Sequence, residues 1–325
     1  MHRHLKGLFL FIALNWMLTS LTLAQSNVPV RDLPSQIFIN ISKDDKDTVK
    51  WVWKRGGTSN LNLSQTSLSN WAAGGEKFSM SINSVSSFYL YHRKNKHTWD
   101  NTLNYSFGYI QTASLGGQKN NDLFDLVSKY GAQMDSAKKW YATILLNPIT
   151  QLFDGRTYYT KDSSKLISSF FSPAYVTLAV GADWKPIKKA LDIFMSPVTS
   201  RTTFISNSKL AAQGLYSVDS GRHAYYQFGA FSMITYSDTI MKNVTYTGKL
   251  NLFADYLSKP QNVNIYFTNY LVFKVNKYIT ANYTLNLIYD DKIKQFGPNG
   301  TSPALQVLSS IGLGFAVPIK TGYSR

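Results

Sequence analysis

Within five positions, the sequence brings together the side chain types that hydrolases use. Asp219, Ser220 and His223 lie in the segment SVDSGRH. A carboxylate can orient a histidine, which can then act as a general base on a serine hydroxyl or on water. Asp, Ser and Gly are also ordinary turn formers. The segment therefore indicates either a hydrolase centre or a plain loop.

The other reactive residue types predict neither a metal site nor a cofactor. The sequence contains no cysteine, which excludes thiolate metal sites, cysteine nucleophiles and disulfides. His92 and His97 lie in HRKNKH, with no carboxylate at ligand spacing, and this segment is typical of a charged turn. The glycine pairs precede neither GK[ST] nor a helix, so no phosphate loop is expected.

The N-terminus is typical of an exported protein. A short basic segment precedes the apolar run LFLFIALNWMLTSLTL, which ends at Ala24. This layout predicts a cleaved signal peptide, whereas a membrane anchor is disfavoured because the run is short and interrupted by polar residues. The predicted organisation is a signal peptide over 1–24, a polar periplasmic segment over 25–56, and a β-barrel over 57–325.

Alternation of apolar and polar residues dominates the rest of the chain. In WDNTLNYSFGYI the odd positions from Trp99 to Tyr109 are mostly apolar or aromatic, and the even positions are polar. This period of two is typical of strands. The chain predicts about twelve strands, at about residues 57–65, 77–91, 98–111, 121–133, 139–151, 168–183, 190–205, 223–237, 243–256, 262–275, 279–290 and 304–319.

The spacing of these strands predicts their arrangement. Long and short connections alternate along the chain, as in an all-β, up-and-down antiparallel transmembrane barrel with short periplasmic turns and longer extracellular loops. The ten steps from Trp99 to Tyr109 span about 33 Å. Tilting reduces this to about 25 Å, the height of an outer-membrane apolar band. The predicted aromatic belt comprises Trp99, Tyr109, Trp140, Tyr283 and Tyr289. A secreted soluble β protein is the alternative.

Several charged residues fall on the polar faces of the predicted strands. Such residues either pair with one another in a packed interior or line a narrow wet pore. The sequence leaves both arrangements open. The candidate lumen charges are Asp100, Asp125, Lys129, Lys249, Asp255 and Lys274.

Long stretches of the chain resemble an outer-membrane β-barrel family of Bacteroidota that is known only as a domain of unknown function. They include LSQTSLSNWAAGGEKFSMSINS, WDNTLNYSFGYI and DLFDLVSKYGAQ, and the similarity runs from about Leu61 to Asp291. The resemblance implies a barrel in the outer membrane of a diderm bacterium, but it transfers no catalytic residue or ligand. The motif of Asn70, Trp71, Gly74 and Gly75 recurs in that family.

These observations favour a non-enzymatic outer-membrane barrel. It is expected to be either a narrow pore for small solutes or a structural or assembly component. The expected partners are outer-membrane lipid and either small solutes or another envelope protein. Nucleic acid is excluded because basic stripes interleaved with aromatics are absent. The alternative function is a hydrolase at the barrel rim that uses Asp219, Ser220 and His223.

Overall fold

The computed structural model describes residues 51–67, 78–186, 190–276, 278–293, 296 and 301–324. The predicted signal peptide, most of the predicted periplasmic segment and the motif at positions 70–75 lie outside these residues. Within the described part of the chain, no helix has the length and apolar character needed to cross a membrane.

Twelve antiparallel strands close into a barrel. Alternating polar and apolar residues favour this structure because each strand places one face inward and the other outward. The barrel strands are β1 (Trp53–Ser67), β2 (Phe78–Lys94), β3 (His97–Thr112), β4 (Gly116–Gln133), β5 (Trp140–Thr150), β8 (Ala174–Trp184), β9 (Leu191–Phe204), β10 (Ala224–Met241), β11 (Val244–Asp255), β12 (Asn264–Lys274), β13 (Ile279–Tyr289) and β14 (Gln306–Ser324).

The strand order is that of an up-and-down barrel. Each strand pairs with its neighbours in the chain, and β5 pairs with β8 across an intervening hairpin. Pairing of β1 with β14 closes the ring, with Leu61 opposite Phe315. The predicted fold class and strand number are confirmed. The first strand begins at Trp53, slightly before the expected position, and the last extends to Ser324.

The two ends of the barrel differ in the length of their connections. The short-turn rim carries segments 95–96, 134–139, 185–190, 242–243 and 275–278. The Trp53 end of β1 and the Ser324 end of β14 lie at the same rim. The long-loop rim carries segments 113–115, 151–173, 205–223 and 256–263, together with the Ser67 end of β1 and the Tyr289 end of β13. The predicted alternation is therefore present, although 113–115 is a short turn on the long-loop rim.

The two longest connections pack against each other at the long-loop rim. The first contains the hairpin of β6 (Gly155–Tyr158) and β7 (Ser164–Ser168), and the second contains α1 (Ser208–Ala211). Buried Ile205, Leu210, Ala211 and Val218 form a small apolar core, against which Leu166 of β7 packs. The loops are joined further by a hydrogen bond of 2.9 Å between Ser172 Oγ and Ser206 Oγ.

Candidate functional site

The outer face of the barrel is apolar. Large apolar side chains are exposed on nearly every barrel strand, for example Leu63 on β1, Ile144 on β5, Val198 on β9, Phe228 on β10 and Ile311 on β14. Scattered exposed apolar residues are normal for a protein in water, but a continuous band of them marks an interaction surface.

Tryptophans lie on this outer face beside the short-turn rim. The ring centroids of Trp53 and Trp99 are 6.1 Å apart, and those of Trp140 and Trp184 are 5.7 Å apart. Trp99 and Trp140 belong to the predicted aromatic belt, and Trp53 and Trp184 extend it. Tryptophan is favoured where an apolar surface meets a polar one, because its ring is apolar and its N–H is polar.

The three tyrosines of the predicted belt have different environments. Tyr109 is exposed near the long-loop end of β3, and Tyr289 is half-buried at the same end of β13. Tyr283 also has an outward register, but only 7% of its surface is exposed. Ser309 Oγ donates a hydrogen bond of 3.3 Å to the Tyr283 hydroxyl.

A balanced ionic network fills the interior near the short-turn rim. We call it the rim network; it consists of Arg93, Asp100, Lys129, Asp183, Lys185 and Asp192. Lys129 Nζ lies 2.9 Å from Asp183 Oδ2 and 2.6 Å from Asp192 Oδ1. Lys185 Nζ lies 3.3 Å from both Asp100 Oδ2 and Asp183 Oδ2. The three cations and three carboxylates therefore neutralise one another.

Lys185 lies just beyond the end of β8. Burial by itself would lower its pKa, but the attraction of Asp100, Asp192 and Asp183 raises the pKa above its ordinary value. Lys185 is therefore positively charged at neutral pH and holds together carboxylates from three segments of the chain.

A second ion pair crosses the middle of the barrel. Lys249 on β11 and Asp125 on β4 are almost fully buried, and Lys249 Nζ lies 3.7 Å from Asp125 Oδ2. Asn147 Nδ2 donates a hydrogen bond of 2.6 Å to Asp125 Oδ1. Four strands separate β4 from β11 along one side of the ring. This pair, which we call the crossbar, therefore divides the interior into two halves.

The half of the interior lined by β5, β8, β9 and β10 is packed with apolar side chains. Leu145, Ala179, Phe194, Phe231 and Met233 form one buried cluster. Phe253 of β11 completes the cluster, and Val127 of β4 packs against it. Side chains in such contact fill this part of the interior.

The long-loop end of the interior also contains paired polar groups. Arg201 Nη2 donates a hydrogen bond of 3.0 Å to the Tyr266 hydroxyl, which donates one of 2.6 Å to Asp290 Oδ2. Asp255 Oδ2 accepts hydrogen bonds from Gln227 Nε2 at 3.2 Å and from Lys292 Nζ at 2.6 Å. Burial alone would lower the Lys292 pKa, but the hydrogen bonds of Lys292 to Asp255 and Tyr225 raise it.

The other half of the interior is lined mainly by polar residues, with Val85, Tyr89 and Leu308 among them. We call it the polar wall; it is formed by the inward-facing residues of β13, β14, β1, β2 and β3, and includes Asn60, Asn62, Asn83, Asn104, Asn282 and Asn286. Glycines make room for these amides. A Cβ atom on Gly314 would lie 2.0 Å from Asn62 Oδ1, and one on Gly108 would lie 2.1 Å from Asn83 Oδ1.

The structure places five of the six predicted lumen charges inside the barrel. Asp100 and Lys129 belong to the rim network, Asp125 and Lys249 form the crossbar, and Asp255 pairs with Lys292. The sixth residue, Lys274, has the inward register of Thr280 but is exposed, because it lies at the end of β12 on the short-turn rim.

Sequence reasoning missed Asp183, Lys185, Asp192 and Arg201. Asp183 follows the alternation of β8, in the same register as Ala179, so this pattern could have located it. Arg201 follows a register shift between β8 and β9, which reverses the expected face. Lys185 lies beyond its strand and gave no periodic signal.

The proposed hydrolase residues do not act on one another. His223 Nδ1 donates a hydrogen bond of 2.7 Å to the Ile205 carbonyl, and Ser220 Oγ donates one of 2.8 Å to the Ala212 carbonyl. The exposed Asp219 carboxylate lies 3.8 Å from Arg222 Nε. Among the described contacts, none joins Asp219, Ser220 and His223 into a relay. The geometry therefore gives the hydrolase hypothesis no support, and the segment is a loop.

His92 and His97 likewise make separate contacts. The His92 ring lies 4.5 Å from the Trp53 ring, and His97 Nδ1 is hydrogen-bonded to the Tyr130 hydroxyl at 3.1 Å. Within the described residues, no group of three potential metal ligands is present.

Part of the barrel matches a known family model. Residues 63–155 match the model described as "Protein of unknown function (DUF3078)". The match runs from β1 through β5 and covers less than half of the chain. It includes Asp100, Asp125 and Lys129 of the interior networks. No curated protein matches the chain.

Solved structures provide further likenesses. An outer membrane channel from Pseudomonas putida F1 is 12% identical, with 86% of this chain and 100% of that chain covered and a TM-score of 0.35. The NanC porin is 12% identical over 83% and 100% of the two chains, with a TM-score of 0.32. The TodX monoaromatic hydrocarbon channel, as a deletion mutant, is 8% identical over 84% and 89%, with a TM-score of 0.32.

Proposed function

We propose that the protein is an integral outer-membrane barrel that passes small polar solutes along the polar wall. The observation that carries this proposal is the inversion of an ordinary soluble fold. The outer face exposes a continuous apolar band, whereas one half of the interior is lined by amides and hydroxyls. An apolar outer surface of this kind is stable in contact with lipid, and a polar interior surface is stable in contact with water.

The closed ring removes the main obstacle to membrane insertion. Backbone N–H and C=O groups cannot remain unpaired in hydrocarbon, and the pairing of β1 with β14 leaves no free sheet edge. The Trp53, Trp99, Trp140 and Trp184 belt then marks one boundary of the apolar band.

The short-turn rim faces the periplasm in this proposal, because an even number of antiparallel strands places both ends of the barrel on one side. This rim is basic. Cationic side chains there would contact anionic lipid headgroups or an acidic envelope partner. Its exposed basic residues include Arg55, Lys94, Lys96, Lys138, Lys139, Lys242 and Lys274.

Three further elements belong to this proposal. The chain is exported through a signal peptide over residues 1–24, it inserts into the outer membrane of a diderm bacterium, and it is a member of the Bacteroidota barrel family that it resembles. The match over residues 63–155 supports a family of unknown function, and the Bacteroidota assignment rests on the resemblance alone. The barrel is proposed to be non-enzymatic.

A structural or assembly component of the outer membrane is the second candidate. The apolar cluster around Phe194 and the crossbar favour it, because both fill space that an open pore would need. In this case, the joined loops 151–173 and 205–223 would provide the surface for another envelope protein.

Solute entry into vesicles distinguishes the two candidates. The detergent-folded mature protein is reconstituted into liposomes, which are mixed with an isotonic solution of a solute absent from their interior. Entry of the solute makes the vesicles swell, and light scattering measures the rate. Swelling faster than in protein-free vesicles of the same lipid supports the solute path. Heat-modifiable migration on a gel first shows that the protein is folded. If vesicles with and without this folded protein then swell at the same rate in glycerol, urea and salt, the solute path is contradicted and the structural component is favoured.

A further inference from the structure

Several buried amides of the polar wall have unsatisfied hydrogen-bonding atoms. Asn282 is 6% exposed and Asn286 is 2% exposed. Both polar atoms of each side chain are without a hydrogen-bond partner among the described residues. The same holds for Asn60 Oδ1, Asn62 Oδ1 and Asn104 Nδ2. Buried polar atoms in folded proteins are almost always hydrogen-bonded, so these positions call for water or a solute.

The unsatisfied atoms lie on one continuous part of the wall. Asn62 on β1 faces Gly314 on β14, which pairs with Thr280 on β13. Asn282 and Asn286 follow on the inward face of β13, in the register that places Asn286 beside Thr268 of β12. Hydrogen-bonding groups are therefore repeated along the barrel.

The charged side chains of the wall and these amides lie at different heights in the barrel. Among the described inward side chains of β13, β14, β1, β2 and β3, the charged ones, such as Lys54, Arg93 and Asp100, lie toward the short-turn rim. In the middle of the barrel, Lys249 is held by Asp125 in the crossbar. Beyond the long-loop end of β13, Asp290 accepts a hydrogen bond from Tyr266. Between the two ends, the described part of the wall thus offers an ion no charged side chain to replace its hydration shell.

We infer that the polar wall selects small neutral hydrogen-bonding solutes, such as water, urea and short polyols, over ions. This inference rests on the proposed solute path and names its substrate class. Amides both donate and accept, so they can replace the water around a hydroxyl or an amide of the solute. Amides on one wall only replace a smaller share of the hydration of a potassium or chloride ion, whose removal from water costs far more free energy.

The inference is tested by comparing two fluxes through one reconstituted preparation. Glycerol and urea entry is measured by vesicle swelling, and potassium chloride conductance is measured in planar bilayers with the same folded protein. The expected result is rapid entry of the neutral solutes with little or no ionic conductance. Conductance typical of an open, water-filled pore overturns the inference but leaves the proposed function standing. Entry of neither solute type overturns both.

A substitution in the wall links the flux to the unsatisfied amides. Asn286→Leu keeps a side chain of similar length but removes both hydrogen-bonding atoms, and glycerol entry should fall about tenfold. Asn282→Leu is a second variant with the same expectation, in case the first fails to fold. Unchanged or faster entry in a folded variant overturns the inference.

The matched control is Asn269→Leu on the neighbouring strand. Asn269 lies on the outer face of β12, where it accepts a hydrogen bond of 2.6 Å from the Tyr246 hydroxyl. The exchange is chemically identical but leaves the interior unchanged, so glycerol entry should match that of the unmodified protein. A fall equal to that of Asn286→Leu would show a general loss of folding and overturn the assignment to the wall.

Discussion

At the scale of single residues, the interior is organised by complementary charges that lie far apart in the sequence. Lys129 meets Asp183 and Asp192 at 2.9 and 2.6 Å, and Lys249 meets Asp125 across the barrel. A buried ion pair adds little stability over an apolar pair of the same shape, but loss of one partner leaves a buried charge uncompensated.

The crossbar provides a direct test of this asymmetry. Asp125→Leu leaves Lys249 without its carboxylate and should lower the free energy of unfolding by about 3–5 kcal/mol. The double variant Asp125→Leu, Lys249→Met should recover most of that loss, because it removes both charges together. Urea unfolding of the barrel in lipid vesicles measures both effects.

The control for these variants is Asp219→Leu, because the Asp219 side chain is 82% exposed. It should change the unfolding free energy by no more than about 0.5 kcal/mol. If the double variant is as unstable as the single Asp125→Leu variant, the loss of stability does not come from the uncompensated charge of Lys249.

The sequence predicts which face of its strand a charged residue occupies, but it does not predict which residue of opposite charge it pairs with. Alternation placed Asp100, Asp125 and Lys129 on polar faces because the period of a strand is two. The partners Asp183 and Asp192 lie on other strands, and their proximity depends on the curvature of the closed ring. For the same reason, the motif SVDSGRH suggested a relay that the loop geometry does not form.

At the scale of elements, each strand separates an apolar outer face from an inner face of different composition. The alternation therefore predicts the strands and their order well. It failed where composition hides the period. The alternation predicts neither the start of β1 at Trp53, where lysine and glycine hide the period, nor the hairpin of β6 and β7 in the connection between β5 and β8.

A lysine on the outer face tests whether that face lies in lipid. Leu146 is exposed near the middle of β5, so Leu146→Lys should destabilise the vesicle-inserted barrel by about 2–4 kcal/mol. Urea unfolding in vesicles checks this value. Met134→Lys in the adjacent short turn is the control and should cost about 0–1 kcal/mol, because it lies outside the apolar band. Equal costs for the two lysines would contradict a membrane-facing surface.

At the scale of the whole molecule, the barrel is divided into a packed half and a polar half. The apolar cluster around Leu145 and Phe194, with the crossbar beside it, gives the ring a solid interior on one side. The asparagines of the polar wall leave the other side able to hydrogen-bond. In the proposed function, small solutes pass along this polar side of a barrel whose other side is packed.

In the proposed function, β13 faces lipid on one side and a wet path on the other. The chain has no cysteine, so single cysteines can be placed at consecutive positions from Ala281 to Leu287 and challenged, in vesicles, with a small neutral water-soluble thiol reagent. The account predicts reaction with a period of two: cysteines at 282, 284 and 286 react, whereas those at 281, 283, 285 and 287 are protected. Equal reaction along the strand, or protection at every position, would contradict it.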